Sequence, residues 1–141
     1  MGGVAVLVVD DEPDFVATYR RLLARHGCRV AEATGRTAAL DVLGRCRFEL
    51  VIADLRLPDG DGLEVVRAAR AAANAPAVIV VTGFPSEETR RQALAAGAAA
   101  YLTKPFPISQ FDALVDRMLA ARGVGPAARD VPHRSGPRGT E

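Results

Sequence analysis

The chain has 141 residues, 49% of them hydrophobic and 25% charged, with a formal net charge of +1, enough for one domain with its own core and too balanced to imply a nucleic-acid-binding face. Its longest apolar runs, Val4 to Val9 and Ala77 to Val81, fall far short of the roughly 20 residues that span a bilayer. Met1-Gly2-Gly3 carries no basic leader, so neither a membrane nor secretion is expected and the cytoplasm is the default location. The two cysteines, Cys28 and Cys46, show no CxxC or Cys/His pattern and read as ordinary core or edge thiols.

In chain order, Val4 to Val9 predicts a first strand. Phe15, Val16, Tyr19, Leu22 and Leu23 recur at helical spacing and predict an amphipathic first helix, which Gly27 should stop. Arg29 to Ala33 predicts a second strand, and Ala39, Val42, Leu43 and Cys46 a second helix. Leu50 to Ala53 is the third strand; Asp61 with Glu64 resembles a capping pair opening a third helix marked by Val65, Val66 and Ala69. Ala77 to Thr82 is the fourth strand, and Ala93 with Leu94 marks a weak fourth helix closed by Gly97. Ala100 to Thr103 is the fifth strand, and Ile108, Phe111, Leu114, Val115, Met118 and Leu119 mark a strong fifth helix.

Nearly wholly apolar strands separated by helices require a parallel sheet covered on both faces, hence an α/β, doubly wound (βα)5 domain over residues 1–122. Residues 123–141 are rich in Gly and Pro with little to bury and read as a flexible tail or linker, its Arg129, Arg134 and Arg138 solvated.

Ligands in such folds gather at the carboxyl ends of the strands. The first strand ends in Asp10-Asp11-Glu12, the third in Asp54 and the fourth in Thr82, and the fifth leads to Lys104-Pro105. Carboxylates that converge repel one another unless a cation is present. Mg²⁺ suits such a site because it takes oxygen ligands and pairs one or two carboxylates with phosphate oxygens. With the metal in place, Asp54 can act as nucleophile towards a phosphoryl group, while an ammonium and a hydroxyl neutralise the phosphoryl oxygens. Of 18 basic residues 17 are arginine, so the single lysine, Lys104, stands out; a compact ammonium fits between a carboxylate and a phosphoryl oxygen better than a planar fork.

Asp10-Asp11, Asp54-Leu-Arg-Leu-Pro-Asp-Gly-Asp-Gly, Thr82-Gly and Tyr101-Leu-Thr-Lys-Pro-Phe, in that order, resemble the signature set of bacterial response-regulator receivers. The resemblance covers residues 4 to about 121. It implies a flavodoxin-like sheet of strand order 2-1-3-4-5 and a phosphorylation-dependent switch in a two-component system or phosphorelay, with Asp54 as phosphoacceptor. It implies Mg²⁺ bound directly by Asp11, partly through water by Asp10, by Asp54 and by the backbone carbonyl of Arg56. Thr82 and Lys104 would grip the phosphoryl oxygens, and Lys104-Pro105 would be cis. Tyr101 would be the switch aromatic that turns inward with Thr82. The partners implied are a histidine kinase or histidine phosphotransfer protein and a downstream protein on the helix 4, strand 5, helix 5 face, with no direct DNA binding. Kinase specificity would lie in exposed first-helix residues such as Thr18, Arg21 and Leu22, with the loop before helix 5.

Ala98-Ala99-Ala100 stands where many winged-helix regulators carry acidic residues that pair across an active dimer, so that dimer mode is not expected. Arg56 and Phe84 flank the route of water to an aspartyl phosphate and are expected to slow its loss. Asp59 and Asp61 read as turn and cap chemistry, Tyr19 and Phe106 as core, and His26 and His133 as a helix-end and a tail residue. An aspartyl-phosphate phosphohydrolase would want a second Asp two positions after the nucleophile, where this chain has Arg56. A flavodoxin-type carrier would want a hydroxyl-rich or Gly-rich loop after the first strand, where this chain has acids. Turnover of an external substrate is therefore not expected. The chain reads either as a free-standing receiver, which is favoured, or as the receiver of a larger transcription regulator or hybrid histidine kinase.

Overall fold

The computed structural model describes residues 3–123. The expected tail from residue 124 on, with His133 and its three arginines, lies outside the described residues. The elements are β1 (Val4–Val9), α1 (Pro13–Ala24), β2 (Cys28–Ala33), α2 (Arg36–Arg45), β3 (Leu50–Asp54), β4 (Arg56–Leu57), β5 (Gly60–Asp61), α3 (Gly62–Ala71), β6 (Ala77–Thr82), α4 (Glu87–Ala96), β7 (Ala100–Thr103) and α5 (Ile108–Ala121).

Five strands form one sheet in the order β2-β1-β3-β6-β7, every neighbouring pair parallel. Since β6 and β7 are the fourth and fifth strands expected, this is the 2-1-3-4-5 order. Alternation along the strands sorts the core into two layers. Leu7, Val9, Val51, Ala53, Val78 and Val80 pack with Ala39, Leu43, Val65, Val66, Ala69 and Ala93 of α2, α3 and α4. Val6, Val8, Leu50, Ile52, Ile79 and Val81 pack with Val16, Tyr19, Leu22, Leu23, Phe111, Val115 and Leu119 of α1 and α5. The central strands are apolar on both faces because helices cover both.

The punctuation follows the residues. Pro13 sits in the first turn of α1, where its missing N–H costs nothing. The helix closes through Gly27, whose φ of 72° suits glycine. Ser86 caps α4 by accepting from the Thr89 amide at 3.0 Å, and Gly97, at φ 113°, ends it.

Several expectations are corrected. The antiparallel pair β4 and β5 is too short to leave a periodic signal and was not anticipated. Asp61 caps α3 through the Leu63 amide at 2.9 Å, but Glu64 pairs with Arg36 instead of closing a capping box. Cys46 lies beyond α2 and is exposed. Ile108, in the first turn of α5, is 48% exposed, and Leu94 of α4 is exposed too. Leu22 is fully buried and so is no exposed specificity residue. His26 is more than a helix end: its Nε2 lies 2.9 Å from Asp112 and its Nδ1 3.1 Å from Asp116, which ties the end of α1 to α5.

Candidate functional site

Parallel pairing brings the carboxyl ends of β1, β3, β6 and β7 to one edge. The register aligns Val9 with Ala53, Asp54 with Val81 and Thr82 with Thr103, so Asp10, Asp54, Thr82 and Lys104 leave the sheet side by side. All four are buried. The Lys104 amide donates to the Thr82 carbonyl at 2.8 Å, and Lys104-Pro105 is cis, as expected.

Lys104 organises the cluster. Its Nζ donates to Glu12 Oε1 at 2.6 Å and to Asp54 Oδ2 at 3.0 Å, approaches Asp10 Oδ2 to 2.8 Å, and lies 4.3 Å from the centroid of the Phe15 ring. Burial alone would pull this ammonium's pKa down, but the close carboxylates of Asp10, Glu12 and Asp54 outweigh it and hold the pKa above the ordinary lysine value. Asp10, only 1% exposed, is shifted up, first by burial, with Lys104 and the Glu12 amide opposing. The approach of Lys104 to Asp10 Oδ2 is an ion pair without hydrogen-bond geometry, so this buried oxygen has no hydrogen-bond donor.

Asp10, Glu12 and Asp54 each bring a carboxylate oxygen within 4.8 Å of the others. Three carboxylates share one ammonium, and one buried oxygen lacks a donor; both features fit a hard divalent cation, whose ligands are oxygens. Asp11 is not part of this cluster. It is exposed at the rim of a cleft of about 500 Å³ that is also lined by Glu12, Asp54, Arg56, Phe84 and Lys104. Glu12 was not singled out from the sequence as a site residue, because an acid one position beyond an acidic pair leaves no separate signal.

The Arg56 amide donates to Asp54 Oδ1 at 3.2 Å, which seats the chain after β3 against that carboxylate. The Arg56 guanidinium stacks on Phe84, 3.9 Å from the ring centroid, and both residues line the cleft. Thr82 is buried and its hydroxyl accepts from the Phe84 amide at 3.0 Å; it lines a smaller neighbouring cavity of about 240 Å³ with Arg56, Phe84 and Thr89. Tyr101 stands apart from the cluster. It is half-buried, with its hydroxyl 2.7 Å from Thr89 Oγ1 and accepting from the Ser86 amide at 3.2 Å, so it is bonded to the first turn of α4.

Residues 6–116 match the family model described as the response regulator receiver domain. The chain belongs to that family. Receivers are the signalling domains of two-component systems and interact with histidine kinases. The receiver is 36% identical over 140 residues to the transcriptional regulatory protein PrrA of Mycobacterium tuberculosis, a match that covers 92% of this chain and 60% of PrrA. It thus spans less than two thirds of that curated relative's length. Its fold superposes on a CheY-like receiver domain protein from Methanospirillum hungatei with a TM-score of 0.81 at 27% identity, covering 86% of this chain and 98% of that one. The receiver domain of the sensor histidine kinase PA1611 from Pseudomonas aeruginosa superposes with a TM-score of 0.75 at 28% identity, covering 84% of this chain and 99% of that one. In that protein a magnesium ion is coordinated in the active-site cleft. No helix among the described residues is long and apolar enough to cross a membrane.

Proposed function

We propose that this receiver is switched by phosphorylation of Asp54, taking the phosphoryl group from a phosphohistidine of a kinase or phosphotransfer protein in the cytoplasm. The observation that carries the reading is the Lys104 cluster, where Asp54 faces an ammonium and an opening of the cleft together. An Asp54 carboxylate oxygen attacks phosphorus, the O–P bond forms as the N–P bond breaks, and the electron pair returns to the imidazole of the donor. Asp11, Asp54 and the Arg56 carbonyl would hold Mg²⁺ directly and Asp10 in part through water, and Glu12, whose carboxylate lies within 4.8 Å of those of Asp10 and Asp54, would be a further ligand. When bound, the ion supplies positive charge to the phosphoryl oxygens. Lys104 adds a second positive charge, and Thr82 a hydroxyl donor.

The chain does no chemistry on other substrates in this reading; it catalyses only its own phosphorylation and dephosphorylation. Tyr101 would carry the state of Thr82 to α4, and the α4, β7, α5 face would meet the downstream protein. A second reading, favoured by the 60% span of PrrA, makes the chain the receiver part of a longer transcription regulator, with DNA binding supplied by sequence outside the described fold. An immunoblot of the native protein separates the two, since the second reading requires a product clearly larger than 141 residues.

The test of the main reading is incubation with acetyl phosphate with and without Mg²⁺, read by intact mass. The expected result is a Mg²⁺-dependent gain of one phosphoryl group that Asp54→Asn abolishes. A parent that stays unmodified both here and with a panel of phosphorylated histidine kinases would overturn it.

A further inference from the structure

The loop after β3 is a closed hairpin. Arg56 pairs with Asp61 and Leu57 with Gly60, and the Gly62 amide closes its base on the Leu55 carbonyl at 2.8 Å. Asp59 lies at its tip, and its carboxylate reaches another element. Oδ1 accepts from the Arg36 amide at 2.6 Å and Oδ2 from the Thr37 amide at 2.9 Å.

These amides open α2, which starts at Gly35 with no side-chain cap and no acid in its first turn. A helix start leaves such N–H groups without partners and favours a negative charge beside them. Asp59 supplies both the acceptor and the charge from another element. The Thr37 and Arg36 amides favour its ionised form and lower its pKa to about 2. Arg36 returns the contact: its Nε donates to the Asp59 carbonyl at 3.3 Å and its guanidinium reaches Glu64 of α3 at 2.9 Å.

Two glycines make room for the clasp. A Cβ on Gly35 would sit 2.7 Å from Asp59 Oδ1, and one on Gly60 would sit 2.5 Å from both Cδ and Nε of Arg36. The hairpin is thereby held at its base by β3 and at its tip by α2, and between them lies Arg56, whose amide bonds Asp54.

We propose that Asp59 is a positioning residue for metal binding at Asp54: by capping α2 from the hairpin tip, it fixes the stretch that presents the Arg56 backbone beside the phosphoacceptor. The inference rests on the reading that Arg56 and Asp54 hold Mg²⁺. It also assigns α2 a mechanical link to the site through Asp59.

The experiment is a Mg²⁺ titration by calorimetry and amide chemical shifts, well below the unfolding midpoint of each protein, comparing the parent with Asp59→Ala, Asp59→Asn, Arg36→Ala and Leu119→Val. Partners that hold metal ligands in place tune metal affinity by about tenfold or more, and Asp59 would act through the backbone that carries one. Asp59→Ala is expected to weaken Mg²⁺ binding about tenfold, and Asp59→Asn, which keeps a capping oxygen, to restore most of it. Arg36→Ala should show a smaller loss in the same direction, which keeps the test decisive if Asp59→Ala does not fold. Leu119→Val loses core packing remote from the hairpin and should bind Mg²⁺ like the parent. Unchanged affinity in the Asp59 and Arg36 variants, with only their stability lowered, would overturn the inference. A parent that shows no Mg²⁺ binding would overturn the metal reading itself, and the inference with it.

Discussion

Arg56 and Phe84, far apart in the chain, meet at the cleft that also holds Asp54. Each follows a strand-end residue by two positions, and the structure stacks one on the other at the mouth of the cleft, although Phe84 is 62% exposed. The stack is expected to hinder water on its way to an aspartyl phosphate at Asp54. The Arg56→Ala, Phe84→Ala double variant, phosphorylated and followed by intact mass, is expected to lose its phosphoryl group about tenfold faster, equivalent to about 1.4 kcal/mol of barrier. Decay at the parental rate would show that the stack does not hinder water.

Lys104 stood out in the sequence because composition isolates it, and Asp54 because it ends an apolar strand, and the structure brings the two together. Glu12 and the partners of Asp59 were not legible, since nothing in a linear sequence says which distant amides a loop carboxylate will meet. His26 is a similar case: its two aspartate neighbours come from a helix 86 and 90 residues away.

At the scale of elements, the helices and strands were readable because burial on one face or both imposes periodicity. Two of the differences fall at element ends, where periodicity stops. Ile108 and Cys46 continue an apolar spacing but lie in a first turn and beyond a last one, where the neighbouring layer no longer covers them. Leu22 was assigned outward although its spacing with Tyr19 and Leu23 already placed it in the apolar stripe.

The β4–β5 hairpin makes a steric demand on the residue that follows it. Gly62 begins α3 directly over the end of β3, and a Cβ there would lie 2.1 Å from the Asp54 carbonyl oxygen. Gly62→Ala must therefore push the hairpin off β3, at an expected cost of about 3 kcal/mol, as for overpacked cores. Urea unfolding monitored by circular dichroism measures it, and a cost within experimental error of zero would mean that the hairpin moves freely.

For the molecule as a whole, the site draws on β1, β3, β6 and β7, so a ligand bound there stabilises the entire sheet edge. Binding to the folded state alone adds about 2.7 kcal/mol at a metal concentration of 100 times the dissociation constant. The thermal midpoint of the parent is expected to rise with Mg²⁺ and that of Asp54→Asn to rise much less. Equal shifts in both would place the ion elsewhere.

The sequence by itself determined the alternation of elements, the apolar character of the central strands and the residues at their carboxyl ends, because each depends on local spacing and on the rule that parallel strands need helical crossovers. Tertiary structure alone decided which acids converge on Lys104, that Asp11 stays at the rim, that Tyr101 is bonded to the start of α4, and that Asp59 caps a helix 22 residues before it in the chain. Those outcomes depend on the register and distance between strands and loops far apart in sequence, which only the packed sheet sets.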